Sequence, residues 1–250
     1  MRPENSFDRI AGAEVRYDRL SGASYGTRGV ATRFHATEAF EGKLRAAFAD
    51  LWEACPLGQA DVIASGGTFA DKPGAHGRGR AFDLDALFWP ERTFVARSYP
   101  QDCRFHLAVE AVLRGHFGTV LNYRYNAAHR DHLHLDDLAP TGFVPEHRSR
   151  VLFLQTMLTH LFDRPVAVDG IIGPETRGAA RRLLQKLDRA SPGSLESAQA
   201  LDDRLDDVWP EVLAVAARRG FAQHATTAAR LDRFRSAEDD GERPAAGDAS

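Results

Sequence analysis

The chain has 250 residues, a length that exceeds the usual size of one domain. Hydrophobic residues make up 43% of it, which is ordinary for a globular protein. A net charge of −3 gives no reason to expect attraction to nucleic acid. No apolar run approaches the length of a membrane span, and the N-terminal residues lack the apolar core of a secretory signal. We expect a monomer that binds neither nucleic acid nor membrane.

The first elements in chain order are a loose segment, a helix and a strand. Residues 1–30 are rich in Gly and Arg, and we expect them to wrap loosely over the first domain. The stretch from Thr37 to Trp52 predicts an amphipathic helix, because apolar residues recur on one face: Phe40, Leu44, Phe48 and Leu51. Asp61–Ser65 reads as a short buried strand that ends in a Gly-Gly turn.

The next strand carries two carboxylates on one face. In the alternating run Ala81–Asp85, Asp83 and Asp85 share a face opposite Phe82 and Leu84. The preceding residues, 72–79, are rich in loop formers, so His76 enters from a loop just before this strand. Two glycines there, Gly77 and Gly79, permit a tight turn.

A second polar strand face follows in the run from His132 to Asp136. Between the two polar strands we expect a helix over residues 105–113 and a strand over residues 119–121. Alternation then places His132, His134 and Asp136 on one face, with leucines on the other. Two neighbouring strands that turn their polar faces the same way bring Asp83 next to His134. Helices on a small antiparallel sheet make the expected fold class α+β.

The histidines and aspartates of these two segments are the residue types that form a catalytic zinc site. Zinc takes neutral imidazole and carboxylate ligands, and a catalytic zinc keeps three protein ligands and one open position. One His, one Asp and a His-x-His supply such a set and leave a histidine over. The surplus matters because a hydrolytic zinc site also needs a group that moves protons beside its water.

A resemblance to known proteins rests on the segments 65–69, 74–83 and 132–134. They resemble the metallopeptidase group that unites lysostaphin-type peptidases, D-alanyl-D-alanine peptidases and the hedgehog signalling domain. The group's pattern Ser-x-His-x-x-Gly-x-Ala-x-Asp is matched at His76, Gly79, Ala81 and Asp83, whereas Gly74 stands at its Ser position. Residues 117–136 look most like the bacterial extensin-like C-terminal domain, and the spacing of His129, His132 and His134 resembles the penicillin-insensitive murein endopeptidases.

The resemblance covers about residues 30 to 140 and implies His76, Asp83 and His134 as zinc ligands. Two residues compete for the role of base: His132, which shares a strand face with His134, and Asp131, which stands where some members of the group keep an acid. We favour His132, because an ideal strand points Asp131 away from the metal. His129 is the next candidate, as a group that orients the water or the developing oxyanion.

A second resemblance concerns the C-terminal half. The segments 154–158 and 168–185, with their Val-Asp-Gly-x-x-Gly-x-x-Thr signature, look like the peptidoglycan-binding domain of the three-helix type. We therefore expect a zinc peptidase domain over residues 1–145, a flexible linker over 139–150, a peptidoglycan-binding module over 150–190, a helical extension over 194–235 and a disordered tail over 236–250. The extension reads as a helical pair split near Gly220, which is either solvated or docked on another domain.

These inferences lead to one expected function and one alternative from another class. We expect a zinc-dependent peptidase that acts on the stem peptides or cross-links of peptidoglycan, at the cell wall, after cytoplasmic synthesis and release or export by a route without a visible signal. Arg78 and Arg80 are candidates to attract stem-peptide carboxylates. The alternative is a non-catalytic wall-binding protein with a structural or vestigial zinc. Cys55 and Cys103 either form one disulfide or remain two thiols.

Overall fold

The computed structural model describes residues 1–19, 26–189, 195 and 197–222. Within them lie ten strands: β1 Ser6–Phe7, β2 Arg9–Ile10, β3 Ala13–Tyr17, β4 Val30–Ala31, β5 Phe34–His35, β6 Val62–Gly67, β7 Ala81–Phe88, β8 Thr93–Val95, β9 Thr119–Leu121 and β10 Leu133–Asp136. The helices with complete bounds are α1 Glu38–Ala54, α2 Cys103–His116, α3 Arg148–Leu161, α4 Pro174–Lys186 and α5 Ala198–Asp207. Residues 209–222 are also helical. The predicted α+β class is confirmed.

The main sheet is larger than the predicted small antiparallel one. Eight strands form it in the described part of the chain, with the order β2-β3-β6-β7-β10-β9, β4 beside β3 and β8 beside β7. The pair β3–β6 is parallel, so the sheet is mixed. The difference comes from the N-terminal segment, which the sequence predicts to wrap loosely. Because Ala13 and Val15 alternate with polar residues and bury their side chains, this segment adds strands instead.

The predicted first helix is confirmed and begins with a side-chain cap. The Thr37 hydroxyl accepts a hydrogen bond from the backbone N–H of Phe40, which satisfies one of the free donors at the helix start. The apolar face of α1 then packs with α2 in a core that also covers the sheet. This core buries four large rings of the region completely or nearly so: Phe40, Phe48, Phe82 and Phe105.

The antiparallel pairing of β7 with β10 positions the polar residues. Asp83 is directly opposite His134, as the sequence predicts. The alternate residues of both strands, which include Phe82 and Leu133, are fully buried in the core. A register slip by one residue would turn these apolar side chains out of the core, so their burial fixes the pairing of Asp83 with His134.

His76 lies in a tight 3-10 turn just before β7, as the loop prediction requires. Two glycines make this turn possible. Gly79 has a left-handed backbone with φ of 64°, and a Cβ atom on Gly77 would lie only 1.8 Å from the carbonyl oxygen of Lys72. The close approach of these two backbone segments holds His76 against the start of β7.

The predicted flexible linker, residues 139–150, is packed, and this prediction is wrong. The guanidinium of Arg150 is almost fully buried and donates hydrogen bonds to the carbonyl oxygens of Gly118, Pro140 and Gly142. Phe143 lies in a second hydrophobic core. Arg114 of α2 donates a hydrogen bond to the Ser149 carbonyl, 3.0 Å away. Hydrogen bonds from Arg150 and Arg114 thus hold the backbone of the segment in place.

The second core joins the two predicted domains through α2. It contains Leu107 and Ala111 of α2 together with apolar residues of α3, α4, α5 and the helix over 209–222. The opposite face of α2 belongs to the first core, which also takes in Phe221. Helix α2 is therefore shared between the part of the chain that forms the main sheet and the C-terminal helices.

The C-terminal helices follow the predicted signals, with one exception. Helix α4 begins with Gly173 as its cap and Pro174 at its first position, and Gly170 has the positive φ of a turn. The predicted break near Gly220 is wrong within the described residues. The chain breaks at Val208 instead, and Gly220 stays helical because it packs on α2, where a Cβ would lie 2.4 Å from the Arg104 carbonyl oxygen. The rest of the predicted extension and the predicted tail lie outside the described residues.

Cys55 and Cys103 are both free thiols, so the disulfide alternative does not hold in this structure. Among the residues described, no helix is long and apolar enough to cross a membrane.

Candidate metal centre

Asp83 lies at the centre of a cluster of imidazoles. Its Oδ1 is 2.9 Å from Nδ1 of His134, 3.3 Å from Nε2 of His76 and 3.5 Å from Nε2 of His132. His76, Asp83 and His134 are buried, and one ligand atom from each lies within 4.8 Å of the others. The three residues whose roles the resemblance implies are therefore brought together by the fold.

The spacing and the outer contacts of this trio fit a tetrahedral metal ion. Bonds of about 2.0–2.1 Å at tetrahedral angles separate two ligand atoms by roughly 3.3 Å. The 2.9 Å and 3.3 Å separations around Asp83 are near that value. The ring of His76 donates from Nδ1 to the Thr68 carbonyl, and Nε2 of His134 lies 3.2 Å from Asp136 Oδ2. Such outer acceptors fix the ring orientation of metal-binding histidines.

Two further histidines face the same space. His132 precedes β10, and its Nδ1 donates to Asp131 Oδ1 at 2.7 Å, which directs Nε2 toward Asp83. The half-buried His129 holds Nδ1 2.7 Å from Asn126 Oδ1. Its ring centroid is 5.2 Å from that of His132 and 5.5 Å from that of His134.

The Asp131 carboxylate contacts Nδ1 of His132, the side of the ring that faces away from Asp83. The sequence places Asp131 on the far face of a strand, but β10 begins only at Leu133. Because it lies outside the strand, the Asp131 carboxylate turns toward the ring of its neighbour. Both predicted candidates for the base are thus part of one hydrogen-bonded pair.

The charges of the trio are strongly coupled. Burial alone would raise the pKa of the Asp83 carboxyl, but hydrogen bonds with His134 and His76 outweigh it and hold this pKa well below its usual range. Burial likewise favours the neutral form of His134. Hydrogen bonds with Asp136 and Asp83 overcome that effect and raise the pKa of His134 to about 9. Metal binding at His134 therefore requires the loss of a proton.

The other two histidines are shifted in the opposite direction. Burial lowers the pKa of His132, although Asp83 and Asp131 oppose the shift. Burial, together with repulsion from His132 and His134 in their protonated forms, lowers the pKa of His129 to about 4. Both rings are neutral near pH 7 and present a nitrogen lone pair, which is the form that accepts a proton or binds a metal.

Several contacts of the site were missed by sequence reasoning. Arg19 forms a two-point ion pair with the fully buried Asp85, at 2.8 and 3.2 Å, two residues along β7 from Asp83. Burial raises the pKa of Asp85 to about 7 despite this pair. The position of Arg19 beside β7 depends on contacts between residues distant in sequence, so no local sequence pattern predicts it. Arg80, a predicted carboxylate binder, instead donates to Asp137 at 2.8 Å, whereas Arg78 is exposed.

A cleft of about 650 Å³ lies beside this cluster, at the end of β6. Its walls include Gly67, which pairs with Asp83, and Thr68, which holds His76. Arg2 and Arg33 also line the cleft, and Asp71 is the one acidic residue among the residues that line it. The charge of the described wall is therefore positive.

Comparison with known proteins gives one match. Residues 66–143 match the family model described as extensin-like protein C-terminus. No curated protein and no solved structure matches the chain. The match begins at the end of β6 and ends at Phe143, so it includes every residue with a predicted metal-binding or catalytic role: His76, Asp83, His129, Asp131, His132 and His134. The part of the chain that carries the candidate metal centre is thus similar to the extensin-like protein C-terminus, as the sequence motifs predict.

Proposed function

We propose that this protein is a zinc-dependent peptidase that hydrolyses amide bonds in the stem peptides or cross-links of peptidoglycan. The observation that carries the proposal is the position of Asp83 Oδ1, within 3.5 Å of ring nitrogens of three histidines. Burying so many polar groups together is costly unless they pair with each other or bind an ion.

His76, Asp83 and His134 are the residues that would hold the zinc. Two imidazoles and one carboxylate make a three-ligand set that leaves one position open, as catalytic sites require. Zinc bound there would polarise the scissile carbonyl and lower the pKa of a coordinated water toward neutrality. Thr68 and Asp136 serve as the outer acceptors that fix His76 and His134.

His132 is the proposed base. Its Nε2 faces the metal trio, and its Nδ1–H donates to Asp131, which keeps the lone pair on Nε2. In that form Nε2 can accept the proton of the attacking water and return it to the leaving amine. Asp131 orients the ring and stabilises its protonated form. His129 is placed to orient the water or the developing oxyanion.

The substrate class follows from the cleft and from the second resemblance. Stem peptides of peptidoglycan carry carboxylates, and the cleft beside the site presents Arg2 and Arg33. The helices α3 and α4 carry the signature that resembles a peptidoglycan-binding domain. In α3, the Gln155 side chain bonds to Asp169, Gly170 and Thr176, so it ties the Asp-Gly turn of that signature to its Thr at the start of α4.

The test is incubation of the protein with purified sacculi, with and without a chelator, and identification of the fragments by mass spectrometry. We expect new amine and carboxyl ends that disappear with chelator and return with zinc. His132→Ala serves as a matched control, because it removes the base but leaves the three ligands. Sacculi that are bound but never cleaved would instead support the non-catalytic wall-binding alternative.

A further inference from the structure

A second set of three ligand atoms lies beside the candidate metal centre. His129, His132 and His134 each offer one ring nitrogen, and these nitrogens lie within 4.8 Å of one another. This set shares only His134 with the set of His76, Asp83 and His134. The two sets differ in chemistry, because the second contains no carboxylate.

The rings of this second set are already oriented for metal binding. His132 and His129 each place Nδ1 2.7 Å from a side-chain oxygen, Asp131 Oδ1 and Asn126 Oδ1 respectively. Because each Nδ1–H donates to that oxygen, the lone pair of each ring is on Nε2. Outer acceptors of this kind set the tautomer and the direction of metal-binding imidazoles.

His134 can serve only one of the two sets at a time. Its Nε2 lies 3.2 Å from Asp136 Oδ2, and a proton there makes that contact a hydrogen bond. Only Nδ1 then carries a lone pair, and this nitrogen lies 2.9 Å from Asp83 Oδ1. One lone pair binds one metal ion, so occupancy of either set removes a ligand from the other.

We propose that His129, His132 and His134 form an alternative binding position for a transition-metal ion, exclusive of the position at His76, Asp83 and His134. Imidazole ligands suit Cu²⁺ and Ni²⁺ as well as Zn²⁺, and a given set of nitrogen ligands binds Cu²⁺ more tightly than Zn²⁺. A metal at the alternative position takes the Nε2 lone pair of His132. His132 is then unable to accept a proton as the proposed base, so a metal ion bound at the alternative position inhibits hydrolysis.

This inference rests on the metal centre of the proposed function but does not depend on its hydrolytic activity. Its test therefore measures metal binding alone. If sacculi are never cleaved, the proposed function is refuted, but the alternative position is still decided by the metal-binding experiment.

The experiment removes one set and asks whether the other still binds. The double variant His76→Ala/Asp83→Asn lacks the first set, and the triple variant that adds His129→Ala lacks both. Cu²⁺ binding is measured by equilibrium dialysis and by electron paramagnetic resonance, which detects coordinated nitrogens. We expect one Cu²⁺ per double variant with nitrogen coordination, and at least ~100-fold weaker binding by the triple variant, because loss of a direct ligand exceeds the effect of outer partners.

The matched pair controls for binding elsewhere, since the chain has ten histidines. Equal Cu²⁺ affinity of the double and triple variants would overturn the proposal. If the double variant does not fold, the comparison moves to the wild-type protein and the single variant His129→Ala, both loaded with one Zn²⁺. We then expect Cu²⁺ to displace zinc one for one from the wild type, and at least ~10-fold less readily from the variant. Equal displacement from both would refute the alternative position.

Discussion

Asp131 Oδ1 lies 2.7 Å from Nδ1 of His132, so the two residues that compete for the role of base in the sequence are partners in the structure. The carboxylate fixes which ring nitrogen carries the proton and leaves the other one facing Asp83, 3.5 Å away. This relationship makes the relative effects of the two side chains testable.

We predict that His132→Ala lowers turnover of a muropeptide substrate by roughly 10²–10⁴, the usual contribution of a general base, while zinc content is unchanged. Asp131→Asn should cost less, because the ring can still reach the water. Steady-state kinetics with zinc analysis of the same samples checks this. A larger loss for Asp131→Asn than for His132→Ala would reverse the two roles.

Metal content is the second prediction. The purified protein should carry about one zinc, the count expected for one three-ligand catalytic site. The variant Asp83→Ala/His134→Ala should carry none, because it removes ligands from both histidine sets. Elemental analysis after gel filtration measures this. Zinc-free wild type, or a double variant that keeps its zinc, would contradict the prediction.

The turn that holds His76 gives a third prediction. Gly77→Ala should weaken zinc binding by about 10–100-fold, as loss of ligand support does, because the new Cβ would lie 1.8 Å from the Lys72 carbonyl oxygen and push the turn apart. Gly42→Ala in α1 is the matched control, since nothing lies within 4 Å of a Cβ there. Competition with a chromophoric chelator measures both affinities. Similar affinities would show that the turn tolerates a side chain.

The shared helix α2 gives a fourth prediction. Removal of all residues after 145 would expose Leu107 and Ala111, which lie in the second core, and would remove Ser149 from Arg114. We expect a protein that aggregates or unfolds at a much lower temperature than the full chain. Size-exclusion chromatography and calorimetry check this. A monomeric fragment with an unchanged Tm would instead support two independent domains.

His106 gives a prediction for the pH dependence of stability. Burial lowers its pKa to about 4, although Glu110 opposes the shift. The ordinary pKa of about 6.5 applies in the unfolded chain, which therefore binds a proton between these values while the folded protein does not. The contribution of His106 to the free energy of unfolding thus falls as pH decreases, by about 2 kcal/mol between pH 7 and pH 5.

The matching measurement compares urea unfolding of the wild type and His106→Phe at both pH values. The variant has no titrating group at this position, and its ring joins neighbouring aromatics such as Phe94 and Tyr99. We expect the wild type to lose more stability than the variant by that amount. Parallel losses in the two proteins would mean that His106 is protonated in the folded state.

Much of the site is encoded locally. Successive side chains of a strand point to opposite faces, so the pattern around Asp83 and His134 predicts a polar face and an opposite face of leucine and phenylalanine. The loop position of His76 follows from the glycines that precede β7. These features depend on residues a few positions apart, and the structure places them as predicted. Arg19, in contrast, meets Asp85 across 66 positions of sequence, and no local period indicates such a contact.

The sequence by itself determined the faces on which the polar residues lie and the α+β class, because these follow from strand periodicity, whereas the choice of candidate ligands among them came from the resemblance to known metallopeptidases. Tertiary structure decided what those residues do to each other. The pairing of Asp131 with His132 required a strand that begins at Leu133, and the shared core around α2 required apolar faces from both halves of the chain to meet. Burial of apolar surface is non-directional, so composition favours a packed core but does not say which helices share it.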